Sequence, residues 1–432
     1  MRLGDLMIRN VASPYGAMAA SLLLFLVAIV FPPPLYSSYV QEPDLMFLDP
    51  ASFVFFIMCT LGFLSGLLLV DFLFPVRGFR YENIETRISS TWFILLPLIA
   101  GVALTVLSIV LLLRNNTTIL ELLFELQGEP LKSAGGIEAE GTIVQATPAL
   151  MGIVWWAIWR KDQLRIRGWR RFTVHFTIVI ATLTMVVWSV LMLTRGELLP
   201  ILMGIVILLL LRRLIQGKLK PASILAFAVI CIASIAALFA SFSVLRGQND
   251  LHTITGGILG YTIAPYNRLA AILDGRLRYP FAGKGLYFSG FVSFNRTFND
   301  LFHINQLFSW PDFNTVWQSE FGAVDAAGLN GQLIFSGTFG YIFSELGWLS
   351  PLLLFIYGLV IGWTWRSMKL GKTVGIVLYP WCAYFILLWF GSNSLLEPTA
   401  VVLVLVVIVL GLYEFLLVRC SVKVAQEGGG SQ

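Results

Sequence analysis

Ten apolar runs of 17 to 28 residues dominate this chain, and no other feature limits its fold so severely. They lie at 13–31, 51–74, 89–113, 143–159, 172–193, 197–214, 222–243, 338–365, 373–391 and 398–418. A helix rises 1.5 Å per residue, so about 20 apolar residues cross the hydrocarbon core of a bilayer. Of 432 residues only 12% are charged, against about 25% in a soluble domain. Mean hydropathy is +0.82, and too little polar surface exists to face water all round. The expected fold is an all-α polytopic membrane protein with about ten transmembrane helices, residues 1–432 forming a single integral membrane domain. The first run follows Met1-Arg2 closely. Phe31-Pro32-Pro33-Pro34 offers no small-residue cleavage site, so a retained anchor is expected rather than a cleaved signal.

Basic residues concentrate in cytoplasmic loops. Counted on alternate sides of ten spans, the side holding the N-terminus carries 20 of the 29 Lys and Arg residues. An N-in/C-in topology follows. The pI near 9.0 then reflects orientation, and no nucleic-acid partner is expected. Cys59, Cys231, Cys382 and Cys420 lie in or beside apolar runs without a CxxC pair, so neither a disulfide framework nor a cysteine metal site is expected. The tail 428–432 reads as flexible.

Three segments fall on the opposite, outer side: an acidic stretch over 114–142, a hairpin tip at 194–197, and a long loop over 244–337. The long loop exceeds what a connection needs. It is rich in aromatics, from Tyr261 and Tyr266 through Phe308, Trp310 and Trp317 to Phe321, and so can bury apolar surface or lie at the membrane interface. Short helices are expected within it.

Almost no charge falls deep in the spans, which weighs against an ion-coupled carrier. Two features match at the outer ends of spans five and seven, Arg195-Gly196 and Arg246-Gly247. Arg is always charged and grips phosphate in a planar fork, and Gly lets a ligand approach the backbone. Two such arginines at one depth could hold a lipid pyrophosphate; helix-end cations that snorkel to the interface look the same. The run Thr255 to Leu273 passes from small residues through Pro265 to Arg268 and reads as a re-entrant or surface helix, with Arg268 directed inward. Arg276, Arg278 and Lys284 suit anionic headgroups or substrate phosphates. Candidate proton acceptors are His252, Asp274, Asp300, His303, Glu320, Asp325 and Glu345. Glu345, at the membrane edge, and His303, a residue type suited to general-base work, come first. No Walker loop, HExxH or GxSxG motif occurs, so ATPase, zinc-protease and serine-hydrolase readings lack support.

The Arg-Gly turns at 195 and 246, the Gly260-Tyr261-x-x-x-Pro265 run, and the segment Gly337-Thr338-Phe339-Gly340-Tyr341-Ile342-Phe343-Ser344-Glu345-Leu346-Gly347 together resemble the Wzy-type bacterial polymerases of O-antigen and exopolysaccharide repeat units. The likeness covers roughly 172–365. Where that family has an Asp-Phe-Gly-like turn, this chain has Glu345-Leu346-Gly347. The resemblance implies a multi-spanning, carrier-lipid glycosyltransferase of the inner membrane. It would join undecaprenyl-pyrophosphate-linked oligosaccharides at the periplasmic face, without cofactor or metal, among membrane lipids and beside a flippase and a chain-length regulator. Arg195 and Arg246 would stabilise the leaving pyrophosphate and Glu345 or His303 would act as base. Gly196, Gly247, Tyr261, Arg268, Arg276, Arg278 and Tyr341 would contact substrate. The alternatives are an O-antigen ligase that transfers glycan to lipid A core, a polysaccharide or lipid transporter, and an envelope scaffold without activity.

Overall fold

The computed structural model describes residues 11–47, 49–76, 91–115, 119–124, 145–163, 168–192, 195–218, 250–287 and 302–428, with Phe79, Asn299 and scattered positions between 222 and 244. Among the described residues the regular structure is helical. The helices are α1 (Pro14–Ile29), α2 (Pro33–Val40), α3 (Pro50–Leu73), α4 (Trp92–Asn115), α5 (Ile119–Phe124), α6 (Ala146–Gln163), α7 (Trp169–Leu191) and α8 (Arg195–Ile215). There follow α9 (Leu251–Thr262), α10 (Ala264–Leu273), α11 (Ile304–Leu307), α12 (Phe313–Ala326), α13 (Gly337–Leu346), α14 (Ser350–Lys369), α15 (Thr373–Leu387) and α16 (Pro398–Gly428).

The expectation of about ten spans is corrected. Among the described residues six helices are long and apolar enough to cross a membrane: α3, α4, α7, Leu198–Ile215 of α8, Gly337–Lys369 and Pro398–Leu417 of α16. A seventh is reached only if α1 and α2, bent by 95°, are one broken span. The causes are local. The prolines at 32–34 end α1, since a proline removes a helix donor and clashes with the preceding turn. α6 closes on Arg160-Lys161-Asp162-Gln163, too polar for hydrocarbon. α15 stops after 15 residues. The run at 222–243 lies mostly outside the described residues. The basic-residue count behind the N-in/C-in topology rests on ten crossings and does not carry over to this set of spans. The chain is nonetheless a multi-pass helical membrane protein.

Two compact units divide the chain. The first comprises 1–75, 248–363 and 382–401. Its helices start at capped positions: Ser13 accepts from the Gly16 amide at α1, and Asp49 from those of Ala51 and Ser52 at α3, satisfying amides that a helix leaves open. Its core is aromatic. Phe25 stacks on Phe56 at 3.7 Å, and Phe63 and Phe339 meet the Trp389 ring edge to face. α3 and α14 approach through glycines. A Cβ on Gly62 or Gly66 would run into the backbone of Pro351 or Phe355, and one on Gly358 into that of Phe63. Small residues allow such close crossing where no hydrophobic drive separates helix from lipid.

The second unit comprises 76–247, 364–381 and 402–432. α4 packs on α6 and α7, with Trp155, Trp156 and Trp188 buried. Gly204 of α8 lies against the Trp155 indole. At the polar end of α6, buried Arg160 spends its donors on Glu414 (2.7 and 3.0 Å), Gln163, Thr373 and the Gly371 carbonyl. Trp156 donates to the same Glu414 at 2.6 Å.

Candidate functional site

The stretch from α9 to α12, outside the six spans, folds within the first unit around a core that it shares with Tyr341 of α13. Ala271, Leu277, Tyr279, Leu286, Val316, Val324, Leu329, Ile334 and Tyr341 make it up. Asp250 caps α9 by accepting from Thr253. Gly256 lets α9 meet the Tyr39 carbonyl of α2. α10 follows at once and is buried along almost its whole length, so anything polar on it needs a partner.

That partner is Glu42. Its Oε1 accepts from Arg268 Nη1 (2.7 Å), from Asn267 Nδ2 (2.9 Å) and from the Tyr36 hydroxyl. Its Oε2 accepts from Arg268 Nη2 (2.7 Å) and from the Asn330 amide (2.9 Å). Arg268 places its remaining N–H groups on the carbonyls of Ala264, Asn330 and Leu333. A guanidinium has five N–H donors, and all five are spent. Both side chains are fully buried.

On α12, Glu320 is buried among tyrosines. Tyr287 donates to one oxygen at 2.8 Å and Tyr341 to the other at 3.3 Å. The Tyr287 and Tyr341 rings stack at 5.0 Å, and Tyr279 stacks on Tyr341 at 5.5 Å. Burial pushes the Glu320 carboxyl up to about 7, although the two phenol hydrogen bonds pull the other way. Burial, with the neighbouring Glu320 carboxylate, also raises the Tyr287 phenol.

Beside this cluster Glu345 accepts the backbone amides of Gly285 and Tyr287, each at 2.9 Å, and so fixes the loop after Gly283. An open cleft of about 470 Å³ is lined by Gln41, Phe321, Asp325, Asn330, Gly331 and Gln332. Gln41 ends α2 in the left-handed region at φ 61°. Asp325 accepts the Gly331 amide at 2.9 Å.

The predicted site residues are distributed as follows. Arg195 and Gly196 open α8 in the second unit, their side-chain surroundings outside the described residues, and Arg246 and Gly247 lie outside them entirely. Arg268 is directed inward, with two N–H groups on Glu42 and three on backbone carbonyls, which leaves none for a phosphate. Tyr341 belongs to the Glu320 cluster and Glu345 borders it. Tyr261 is half-buried near Phe335, 6.0 Å between rings. Arg276, Arg278 and Lys284 are exposed. His303 is exposed at φ 50°, heading α11, and Asp300 is not described. The sequence reading passed over Glu42, Gln41, Asn330 and Gln332. None sits in a motif, and Glu42 meets Arg268 across 226 positions; the one available signal was that a buried Arg on α10 demands a carboxylate.

No family model, no curated protein and no solved structure matches this chain.

Proposed function

We propose that this protein polymerises undecaprenyl-pyrophosphate-linked oligosaccharide repeat units at the periplasmic face of the bacterial inner membrane. The observation that carries the reading is a juxtaposition on α12. Glu320, with a carboxyl near neutrality, directly precedes Phe321, which lines an open cleft of amides, one carboxylate and one aromatic ring. Such linings suit hydroxyl-rich ligands, whose specificity comes from a few placed polar groups on a largely formed site. A carboxyl with pKa near the working pH suits proton transfer. The Wzy-type resemblance supplies the reaction class.

Two helix ends support the facing. α14 and α8 carry Arg366 with Lys369, and Arg212 with Arg213, in their last turns. Basic ends lie in the cytoplasm, so the opposite ends, at Gly347 and at Arg195, face outward. In the reaction an acceptor-sugar hydroxyl oxygen bonds to the anomeric carbon of the donor. The bond from that carbon to the pyrophosphate oxygen breaks, the lipid pyrophosphate leaves with the electron pair, and the hydroxyl proton passes to a base. Glu345 and His303 carry over from the resemblance as bases, and Glu320 joins them on its pKa. Arg195 and Arg246 meet the charge growing on the pyrophosphate, where fixed cations near low dielectric act strongly.

The exposed His303 favours one second reading, the ligase, because a base acting on a large lipid A core acceptor must be open. The deletion phenotype separates the two: loss of a polymerase leaves single repeats on the final acceptor, and loss of a ligase leaves none. For the polymerase, Arg195→Ala and Arg246→Ala each reduce the product to single repeats while the protein still reaches the membrane. Normal polymer from either variant refutes the pyrophosphate clamp. Lys at either position rescues poorly, since the planar fork is lost.

A further inference from the structure

We infer that the cleft between Gln41 and the 330–332 turn is a subsite for one uncharged sugar ring of the glycan, and that the pyrophosphate end of the substrate is held elsewhere. The identity of the ligand rests on the glycan-polymerase reading; the exclusion of phosphate rests on the cleft alone.

The lining decides the class of ligand. Asp325 is the sole charged residue among the six that line it, and a carboxylate repels phosphate. Asp325 is also exposed, so it can accept from sugar hydroxyls in place of water. The amides of Gln41 and Gln332, both exposed, can each donate and accept, as a ring of hydroxyls requires. Phe321 offers an apolar ring face to the C–H face of a pyranose. A volume of about 470 Å³ falls within the range of small-molecule pockets.

The walls are built before any ligand arrives. Gln41 immediately precedes Glu42, whose carboxylate is held by five hydrogen bonds, two of them from Arg268. The opposite wall hangs on the same pair: the Asn330 amide donates to Glu42 and the Asn330 carbonyl accepts from Arg268. Asn330 Nδ2 then reaches across to the Val40 carbonyl at 2.9 Å, and its Oδ1 accepts the Gln332 amide at 3.1 Å. Asp325 closes the turn on Gly331, where a Cβ would strike its carboxylate. A preformed cleft spares the ligand the ordering cost that a mobile one exacts.

The test is calorimetric titration of the full-length protein in lipid nanodiscs. The probes are the free repeat-unit oligosaccharide, released by mild acid from the carrier lipid of the source bacterium, and inorganic pyrophosphate. The oligosaccharide binds, and Phe321→Leu and Gln332→Ala each weaken its Kd at least tenfold. Phe321→Trp retains binding, and pyrophosphate does not compete. No binding to the unaltered protein, binding by Phe321→Leu and Gln332→Ala as tight as that of the unaltered protein, or competition by pyrophosphate overturns the subsite. The readout needs no turnover. Phe321-dependent binding alongside an intact polymer in Arg195→Ala cells therefore upholds the subsite while the pyrophosphate clamp fails.

Discussion

Replacing Glu42 with Gln tests how far the first unit depends on one buried ion pair. Gln keeps the shape of the side chain but turns one acceptor oxygen into an NH₂ group. Whichever way the amide is turned, that NH₂ faces donors: Arg268 Nη2 and the Asn330 amide on one side, or Arg268 Nη1, Asn267 and Tyr36 on the other. Arg268 stays charged, fully buried and without its counter-charge. Breaking a buried pair by removing one partner costs about 3–5 kcal/mol, which is roughly a hundred- to several-thousandfold in a folding equilibrium. Arg268→Met alone costs a similar amount by stranding Glu42. The double variant Glu42→Leu with Arg268→Met removes both charges, and apolar replacement of a whole pair is often neutral. It is therefore more stable than either single variant. The assay is loss of the monodisperse peak of detergent-solubilised protein after heating, with midpoints compared across the three variants. Unchanged midpoints for Glu42→Gln, or a double variant as unstable as the two single effects added together, refute the reasoning.

Glu320 makes stability depend on pH. Its carboxyl is raised from 4.5 to about 7 on folding, so its contribution is fully present below about pH 4.5 and is lost as pH rises through 7, a change of about 3 kcal/mol. Glu320→Gln flattens the thermal-stability profile between pH 5 and 8, and a slope equal to that of the unaltered protein counts against the buried neutral acid. Gly66→Val drives a side chain into the Phe355 carbonyl and abolishes folded protein in detergent. Gly257→Ala, with open space around it, leaves the yield unchanged; equal yields from these two variants would disprove the close crossing of α3 and α14. Glu345→Ala removes the acceptor of the Gly285 and Tyr287 amides, two part-buried hydrogen bonds worth about 1 kcal/mol each. Faster hydrogen exchange at 285–287 reports it, and unaltered exchange contradicts the anchoring role.

Six spans were legible in the hydropathy because a long apolar helix announces itself in every window. The misreadings have physical causes. Pro32-Pro33-Pro34 directly follows the run at 13–31, and there the chain turns by 95° into a second helix that hydropathy does not mark. The run at 143–159 becomes a helix extended into Arg160-Lys161-Asp162, and composition alone could not show that Arg160 is buried against Glu414. The glycine spacings 62–66 and 358–362 were readable as small-residue packing signals, although only the fold tells which helices they join. The richness of the long loop in aromatics was plain, and two of its tyrosines, Tyr279 and Tyr287, do gather with Tyr341 of α13. The acid at their centre, Glu320, was one carboxylate among several, because burial rather than sequence context distinguishes it. Arg268 is directed inward in the sequence as well, but its partner Glu42 is not visible there, since no local pattern links residues 226 positions apart.

The two satisfied arginines also bear on how the chain is made. Arg160 leaves the ribosome 254 residues before Glu414, and Glu42 waits 226 residues for Arg268. At about 5–20 residues per second, Arg160 goes without its carboxylate for roughly 13–50 s. During that time the polar end of α6 must stay hydrated or borrow another partner, so the second unit closes only after α16 has been synthesised. A chain that stalls before Glu414 carries an unmatched guanidinium where the finished protein has none, a mark by which membrane quality control can tell an incomplete copy from a complete one.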